Sequence, residues 1–279
     1  MSISILIPTL NEENYISDCI ESLLVCLKDF NNYEIIIIDG GSDDKTLKII
    51  SNYSEKNPKI KLLNNPKKIA PAALNLGLKE AKFNVIMRCD AHAIYPNNYI
   101  KNNFDLLIRS DEKTMNVGGY IHTISKKNTL ISNSISLVLS SSFGVGNATF
   151  RTGSLNHKEI VEVDTVPFGC FKKEIFELIG NFNENEPANE DIEFNYRIRK
   201  NGYKILLSKA IFSYYYARTN LKDFIKQALR NGLITTNKKN FSFRSLRHYV
   251  PLLFFLFLFF GQVNKLTYEQ KLIINLFEL

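Results

Sequence analysis

Three acidic positions sit where a fold can turn a side chain toward a ligand. The stretch VIMRCDAH (85–92) reads as a buried strand that stops at Asp90, with His92 two residues on. A carboxylate and an imidazole so spaced at a strand end can point into one crevice. In open α/β sheets the crevice outside the carboxyl ends of the strands is where ligands bind. Asp39 ends a second apolar run, residues 35–38, and Gly40 and Gly41 come directly after it. Glu190 and Asp191 open a helix after a loop of Pro and Asn. The chain before Asp90 reads as a nucleotide site; the chain after it reads as the place where a second substrate is brought to the first.

Positioning these groups requires strands that end together. Residues 4–7 form a short apolar strand ended by Pro8, and Asn11 is placed to cap the helix after it, with Glu12 and Glu13 in the first turn. Ile16, Cys19, Ile20, Leu23, Leu24 and Leu27 recur at helical spacing. Residues 35–38 are a continuous Ile run, the mark of a parallel strand buried on both faces. Next come a helix from Ser42 or Asp43, a strand at 60–63, a helix at 71–81 and the strand leading to Asp90. This alternation predicts a mostly parallel sheet flanked by helices. No GxGxxG comes after the first strand and no GxxxxGK[ST] occurs, which argues against dinucleotide and P-loop folds. Farther on, the pattern predicts a strand at 117–124, a helix at 129–142, a Gly-rich mobile loop at 143–154, a strand and turn at 163–169 and a short helix at 172–180. A helix at 190–200 capped by Asn189, an aromatic strand at 211–216 and a basic helix from 221 to about 237 complete it.

The 279 residues suffice for one large domain with an appendage, and 45% apolar content is ordinary for a globular protein. The formal charge of +7 is uneven, with a basic block at 218–248 just before the apolar run VPLLFFLFLFFG (250–261). Basic beside apolar is the signature of an anionic membrane face, whereas nucleic acid is the rival partner for a basic block alone. The run is short of the roughly 20 residues that span a bilayer, so an interfacial helix, a re-entrant helix, a core helix or the start of a longer span are all open. The apolar end at Leu279 creates an expectation that the natural chain continues. The N-terminus lacks the basic region and cleavage site of a signal peptide. Cys19, Cys26, Cys89 and Cys170 show no metal spacing and fit a reducing location.

Taken in order, PTLNEE (8–13), IIIIDGGSDDKT (35–46), NNPKKIAPAALNLGLKEA (64–81), RCDAH (88–92), VDTVPFGCF (163–171) and NEDIEFNYRIRKNG (189–202) resemble the family 2 inverting glycosyltransferases of the GT-A fold. The chain is most similar to the bacterial polysaccharide glucosyltransferases of succinoglycan type, whose aromatic strand and basic helix match YYYARTNLKDFIKQALRNG (214–232). The likeness covers about residues 3–235; single pieces are weakly specific and the ordered set is strong. It implies a catalytic domain at 1–217, with a nucleotide-binding half at 1–110 and an acceptor-binding half at 111–217. A membrane-associating segment would occupy 218–279.

The resemblance also implies roles. Asp39 would accept a hydrogen bond from the uracil of a UDP-sugar, with Gly41 letting backbone approach the ligand. Pro8, Thr9, Asn11 and Glu12 would lie beside the ribose and base. Asp90 corresponds to the carboxylate that holds a divalent cation, Mg²⁺ or Mn²⁺, which neutralises the leaving diphosphate. Many relatives have Asp-x-Asp there; this chain has Asp-Ala-His, so His92 either ligates the metal, contacts phosphate or packs in the turn. Asp191 would be the catalytic base, with Glu190 orienting acceptor or metal, since inverting transfer needs a carboxylate opposite the diphosphate. Position alone, apart from the resemblance, offers Lys67 and Lys68, before the Ala-rich helix, to meet phosphate, Asn75, inside that helix, to face the ribose or donor, and Arg151, in the Gly-rich loop, to clamp a phosphate of donor or lipid acceptor. Gly118, Gly119, Phe168 and Gly169 would line the sugar channel, and Arg218 and Arg230 would close over the diphosphate. Arg88 reads equally as a structural ion pair or a substrate contact.

The reading is a membrane-associated, metal-dependent enzyme at the cytoplasmic face of the cell membrane. It would move a hexose to a saccharide on a polyprenyl diphosphate for surface or exopolysaccharide synthesis, without a nucleic-acid partner. Two rivals remain. A nucleotidyltransferase would need a basic Gly-rich loop near the N-terminus, where LNEEN is acidic instead. A non-catalytic membrane-bound sugar-nucleotide-binding or assembly protein is opposed by the presence of Asp39, Asp90 and Asp191 together.

Overall fold

The computed structural model describes residues 1–141, 145, 148–152, 159–187 and 189–236, with side chains to residue 229. Within these, the strands are β1 (Ser2–Thr9), β2 (Asn32–Asp39), β3 (Ile60–Asn64), β4 (Val85–Arg88), β5 (Ala93–Ile94), β6 (Thr114–Ile124), β7 (Ile160–Glu162), β8 (Cys170–Lys172) and β9 (Lys204–Tyr216). The helices are α1 (Ile16–Cys26), α2 (Thr46–Lys56), α3 (Ala70–Glu80), α4 (Tyr99–Arg109), α5 (Leu130–Ser140), α6 (Thr149–Thr152), α7 (Glu174–Ile179), α8 (Glu190–Lys200) and α9 (Leu221–Thr236). The described strands make one mixed sheet in the order β3-β2-β1-β4-β8-β6-β9-β5, with β7 on the edge of β9.

β1, β2, β3 and β4 are mutually parallel, and β8 joins β4 antiparallel. The chain moves outward from β1 to β3, then returns to place β4 on the other side of β1. That reversal between β1 and β4 is the switch point at which a ligand crevice opens. Pro8 fits there although β1 is a central strand. β4 pairs with β1 only at residues 4–6, so the missing N–H of Pro8 lies past that ladder.

Strand alternation divides the core between the two faces of the sheet. Ile3, Ile5, Ile7, Ile35, Ile37, Val85 and Met87 pack under α1, α2 and α4. Leu6, Ile36, Ile38 and Ile86 pack under α3, α7 and α8. The second face carries an aromatic cluster in which Phe176 stacks on Phe194 at 4.9 Å and Phe182 lies 4.7 Å from Phe194. Arg197 sits over Phe194 and donates to the carbonyls of Ile179, Gly180 and Asn181. These contacts fix where α8 begins.

Several local expectations are corrected. Asn11 does not cap α1: the helix starts at Ile16, and Asn11 adopts φ 54° and ties two loops together instead. Residues 163–169 hold no strand; the pairing falls at β7 and β8 on either side. β5 and α4 occupy residues 93–109, where the pattern assigned nothing. Gly118, Gly119 and Gly169 serve packing. A Cβ on them would stand 2.7 Å from Val166, 2.1 Å from the Ile211 carbonyl and 2.5 Å from Phe171, respectively. Much of the expected loop at 143–154, Arg230's side chain and the apolar run at 250–261 lie outside the described residues. Among the described residues no helix is long and apolar enough to cross a membrane.

Candidate active site

The loops after β1 and β2 build one wall of the crevice. Asp39, 2% exposed, closes its own turn: the Gly41 and Ser42 N–H groups donate to Oδ2 at 2.7 and 2.8 Å, and the Ser42 hydroxyl donates to Oδ1. Gly41 is needed because φ is +85° and the Lys68 side chain passes over it. The Asn11 N–H donates to Ser42 Oγ, and the Asp43 N–H donates to Asn11 Oδ1, so the two loops are stitched together. Thr9 is buried and its hydroxyl donates to the Ile7 carbonyl. Lys68 stays exposed with φ 56°, in a loop held by Asn65, which accepts from the Lys67 N–H and donates to the Ile69 carbonyl.

Asn75 is elsewhere employed. Its amide donates to the Phe182 carbonyl and to Glu184 and accepts the Phe182 N–H, which straps residues 182–184 to α3. The expected contact with ribose or donor is therefore corrected: all three of these bonds are structural, and they explain a polar residue inside that helix.

Arg88 is the hub that the sequence left undecided. It shares strand parity with Ile86 and so points to the face where α8 lies. Its Nη1 is 2.8 Å from Glu190 Oε1, and its Nη2 is 3.4 Å from Asp90 Oδ1. One buried guanidinium thus joins the end of β4 to the first turn of α8. Burial opposes a charged Arg88, but Glu190, Asp90 and Asp191 outweigh it and hold the group protonated. Burial pushes the Glu190 carboxyl up and Arg88 pulls it back, while the charge of Asp191 adds to the rise. Asp191 lies beside Glu190, less buried, with Oδ1 accepting the Ile192 N–H.

His92 bridges two other groups. Its Nδ1 is 2.9 Å from Glu12 Oε1 and its Nε2 is 2.9 Å from the Tyr215 hydroxyl. Burial alone would lower its pKa; Tyr215 and Glu12, with Asp90 behind them, raise it to about 10. An imidazolium has no lone pair to give, so in this arrangement His92 has no free nitrogen for a cation. Glu12 Oε2, also buried, has no hydrogen-bond partner among the described residues.

Tyr215 and Arg151 complete the far wall. Arg151 lies with its guanidinium carbon 5.3 Å from the Tyr215 ring centroid and donates to Thr123 Oγ1 at 3.1 Å. Tyr215 carried a faint signal, as one of three consecutive tyrosines in a strand. Asn195, which donates to Thr165 and accepts from Asn116 behind the aromatic cluster, carried none.

The mixed sheet, with carboxylates at the β1/β4 switch point, has a GT-A-like α/β architecture. The chain belongs to the family described as glycosyl transferase family 2, which it matches over residues 4–179. It is 35% identical over 236 residues to the dolichyl N-acetyl-α-D-glucosaminyl phosphate 3-β-D-2,3-diacetamido-2,3-dideoxy-β-D-glucuronosyltransferase of Methanococcus voltae, covering 82% of this chain and 71% of that one. It is 30% identical over 257 residues to the succinoglycan biosynthesis protein ExoA of Rhizobium meliloti (strain 1021), covering 89% and 74%. The fold is shared with the mannosyltransferase PcManGT from Pyrobaculum calidifontis, solved with GDP-Man and Mn²⁺, at TM-score 0.62 and 16% identity over 90% of this chain and 67% of that one. It is shared too with S. aureus TarS 1-349, solved with UDP-GlcNAc, at TM-score 0.58 and 18% identity over 85% and 67%.

Proposed function

We propose that this chain transfers a hexose from a UDP-sugar, with inversion, to a saccharide carried on a polyprenyl diphosphate. The observation that carries the reading is the Arg88 bridge. It brings the donor-side carboxylate Asp90 and the acceptor-side pair Glu190 and Asp191 to one crevice at the strand ends. Asp39 and Gly41 receive the base, and Pro8, Thr9 and Asn11 form the floor beside the ribose. Glu12 Oε2 is a buried acceptor still in want of a donor, which a ribose hydroxyl supplies.

Asp191 takes the proton of the acceptor hydroxyl as that oxygen attacks the anomeric carbon from the side opposite the diphosphate. Glu190, ion-paired to Arg88, fixes the helix start from which Asp191 projects. Among the described residues no cluster of three or more His, Cys, Asp or Glu forms a closed metal cage. That fits Mg²⁺ or Mn²⁺ bound by one carboxylate with substrate phosphates and water. Asp90 is the residue to hold it, and His92 positions Glu12 rather than ligating. When bound, the cation neutralises charge on the leaving diphosphate.

Membrane association belongs to the same reading, at the cytoplasmic face. α5 buries Ser132 and Ile135 but leaves Leu130 and Leu137 83% and 72% exposed. α9 packs against α5 and exposes Leu221, Ile225 and Leu229 at helical spacing, with Lys222 and Lys226 among them. Apolar and basic side chains so mixed suit an anionic lipid surface.

The test is thermal stabilisation by UDP, GDP, CMP and dTDP, each with and without Mn²⁺. Ligand at 100 times its Kd adds about 2.7 kcal/mol to the native state. A rise for UDP that grows with Mn²⁺ supports the donor; a rise for GDP or dTDP alone replaces it; none with any nucleotide removes the reading.

A further inference from the structure

The least explained charge in the molecule is that of Arg151. Its guanidinium is largely withdrawn from water, yet among the described residues no carboxylate lies within ion-pairing distance. Among the described residues the side chain makes one hydrogen bond, to the neutral hydroxyl of Thr123, and it leans on the rings of Phe150 and Tyr215. Five N–H donors are available on a guanidinium, and one is used. Lys61, Lys67, Arg88, Lys126, Arg197 and Lys204, by contrast, all have acids beside them. Burial disfavours the charged form, and the through-space influence of Tyr215, then of Asp191 and Asp90, only partly offsets this. The contact with the Tyr215 ring, whose hydroxyl meets His92, places Arg151 on the same crevice. A cation left so is a cost to the folded protein, retained where an anion arrives to meet it.

We propose that Arg151 is a receptor for a substrate phosphate, held ready by Thr123 and Tyr215. The inference rests on the transferase reading for the identity of its anion. Two sources share the chemistry: the diphosphate of the nucleotide sugar and the phosphate of a lipid-linked acceptor. A planar guanidinium with free donors is suited to bidentate phosphate recognition, which a lysine at the same place does not reproduce.

The experiment uses the whole chain with Arg151→Met and Arg151→Lys. Calorimetric titrations with UDP, uridine, inorganic pyrophosphate and detergent-dispersed farnesyl diphosphate are paired with melting curves of the unliganded proteins. Removing an unpaired buried charge leaves the unliganded Tm of Arg151→Met equal to or above that of wild type, whereas a structural arginine would give a lower Tm. If the donor supplies the phosphate, Arg151→Met weakens UDP and pyrophosphate by roughly 10–100-fold and spares uridine. If the acceptor supplies it, UDP is unchanged and farnesyl diphosphate weakens by the same factor. Arg151→Lys restores only part of either loss. A lowered Tm with all four affinities unchanged overturns the proposal. Binding of pyrophosphate or farnesyl diphosphate that depends on Arg151, with no UDP binding by wild type, upholds the receptor while removing the UDP donor.

Discussion

Arg88 and Glu190 are each tolerable in the interior because the other is there. Removing one partner of a buried ion pair costs about 3–5 kcal/mol, much of it from the stranded charge. Arg88→Gln is therefore expected to destabilise more than Glu190→Gln combined with it, because the double variant no longer strands the Glu190 charge and leaves only Asp90 without its partner. Chemical denaturation of the two singles and the double measures the coupling; additive losses would show that the 2.8 Å contact carries no energy. Asp39, Asp90 and Asp191 were legible in the sequence because each ends a strand or opens a helix, and local pattern locates such ends. The bridge through Arg88 was only half legible. Its strand parity with Ile86 shows which face it takes, but Glu190 is about a hundred residues away in the chain. The surroundings of His92 were illegible for a similar reason: its partners, Glu12 and Tyr215, come from β1's loop and β9, far from it in sequence.

The position of α8 depends on its aromatic underside. Phe194 contacts Phe171, Phe176 and Phe182 and carries Arg197 above it. Phe194→Ala should cost about 3–5 kcal/mol, read as a lowered midpoint in urea. A sharper test of packing is Gly119, where β6 crosses β9 with no room for a methyl group. Gly119→Ala should lose about 1–3 kcal/mol or more without altering any group in the crevice. An unchanged melting temperature would return Gly119 to the substrate channel. The helices and strands up to β4 were plain from periodicity, because parallel strands buried on both faces read as unbroken apolar runs. The short strands β5, β7 and β8 were not, since two or three residues carry no period. Asn75 read as a ligand residue because polarity inside a helix has two causes, a substrate or a strap, and only tertiary structure separates them.

At the scale of the molecule, one sheet runs through both expected halves, so its stability is shared. Glu34 lies at its core, 3% exposed, accepting from Lys61, the Lys82 N–H and the Ser4 hydroxyl. Burial raises its pKa, but those three donors together hold it below the usual carboxylate range. A carboxyl whose folded pKa is lowered stabilises above its ordinary value, and that stabilisation is lost as pH falls through the lowered folded value. Glu34→Gln should therefore lose about 1–3 kcal/mol near neutrality and much less in acid. Urea titrations at several pH values check this, and an equal loss at all of them would contradict it. The four buried cysteines should resist alkylation until unfolding, since burial pushes the Cys26 thiol to about 11 and raises Cys19, Cys89 and Cys170 as well.

The proposed function makes Asp191 the base that would act across the crevice from a bound nucleotide sugar. The most direct measurement is sugar transfer to a detergent-dispersed polyprenyl-diphosphate saccharide by wild type and Asp191→Asn, with UDP affinity measured in both. The expected result is a loss of turnover of roughly 10²–10⁴-fold with UDP binding unchanged, because the group is used only in the transition state. Near-normal turnover by Asp191→Asn, or loss of UDP binding together with turnover, would contradict this role.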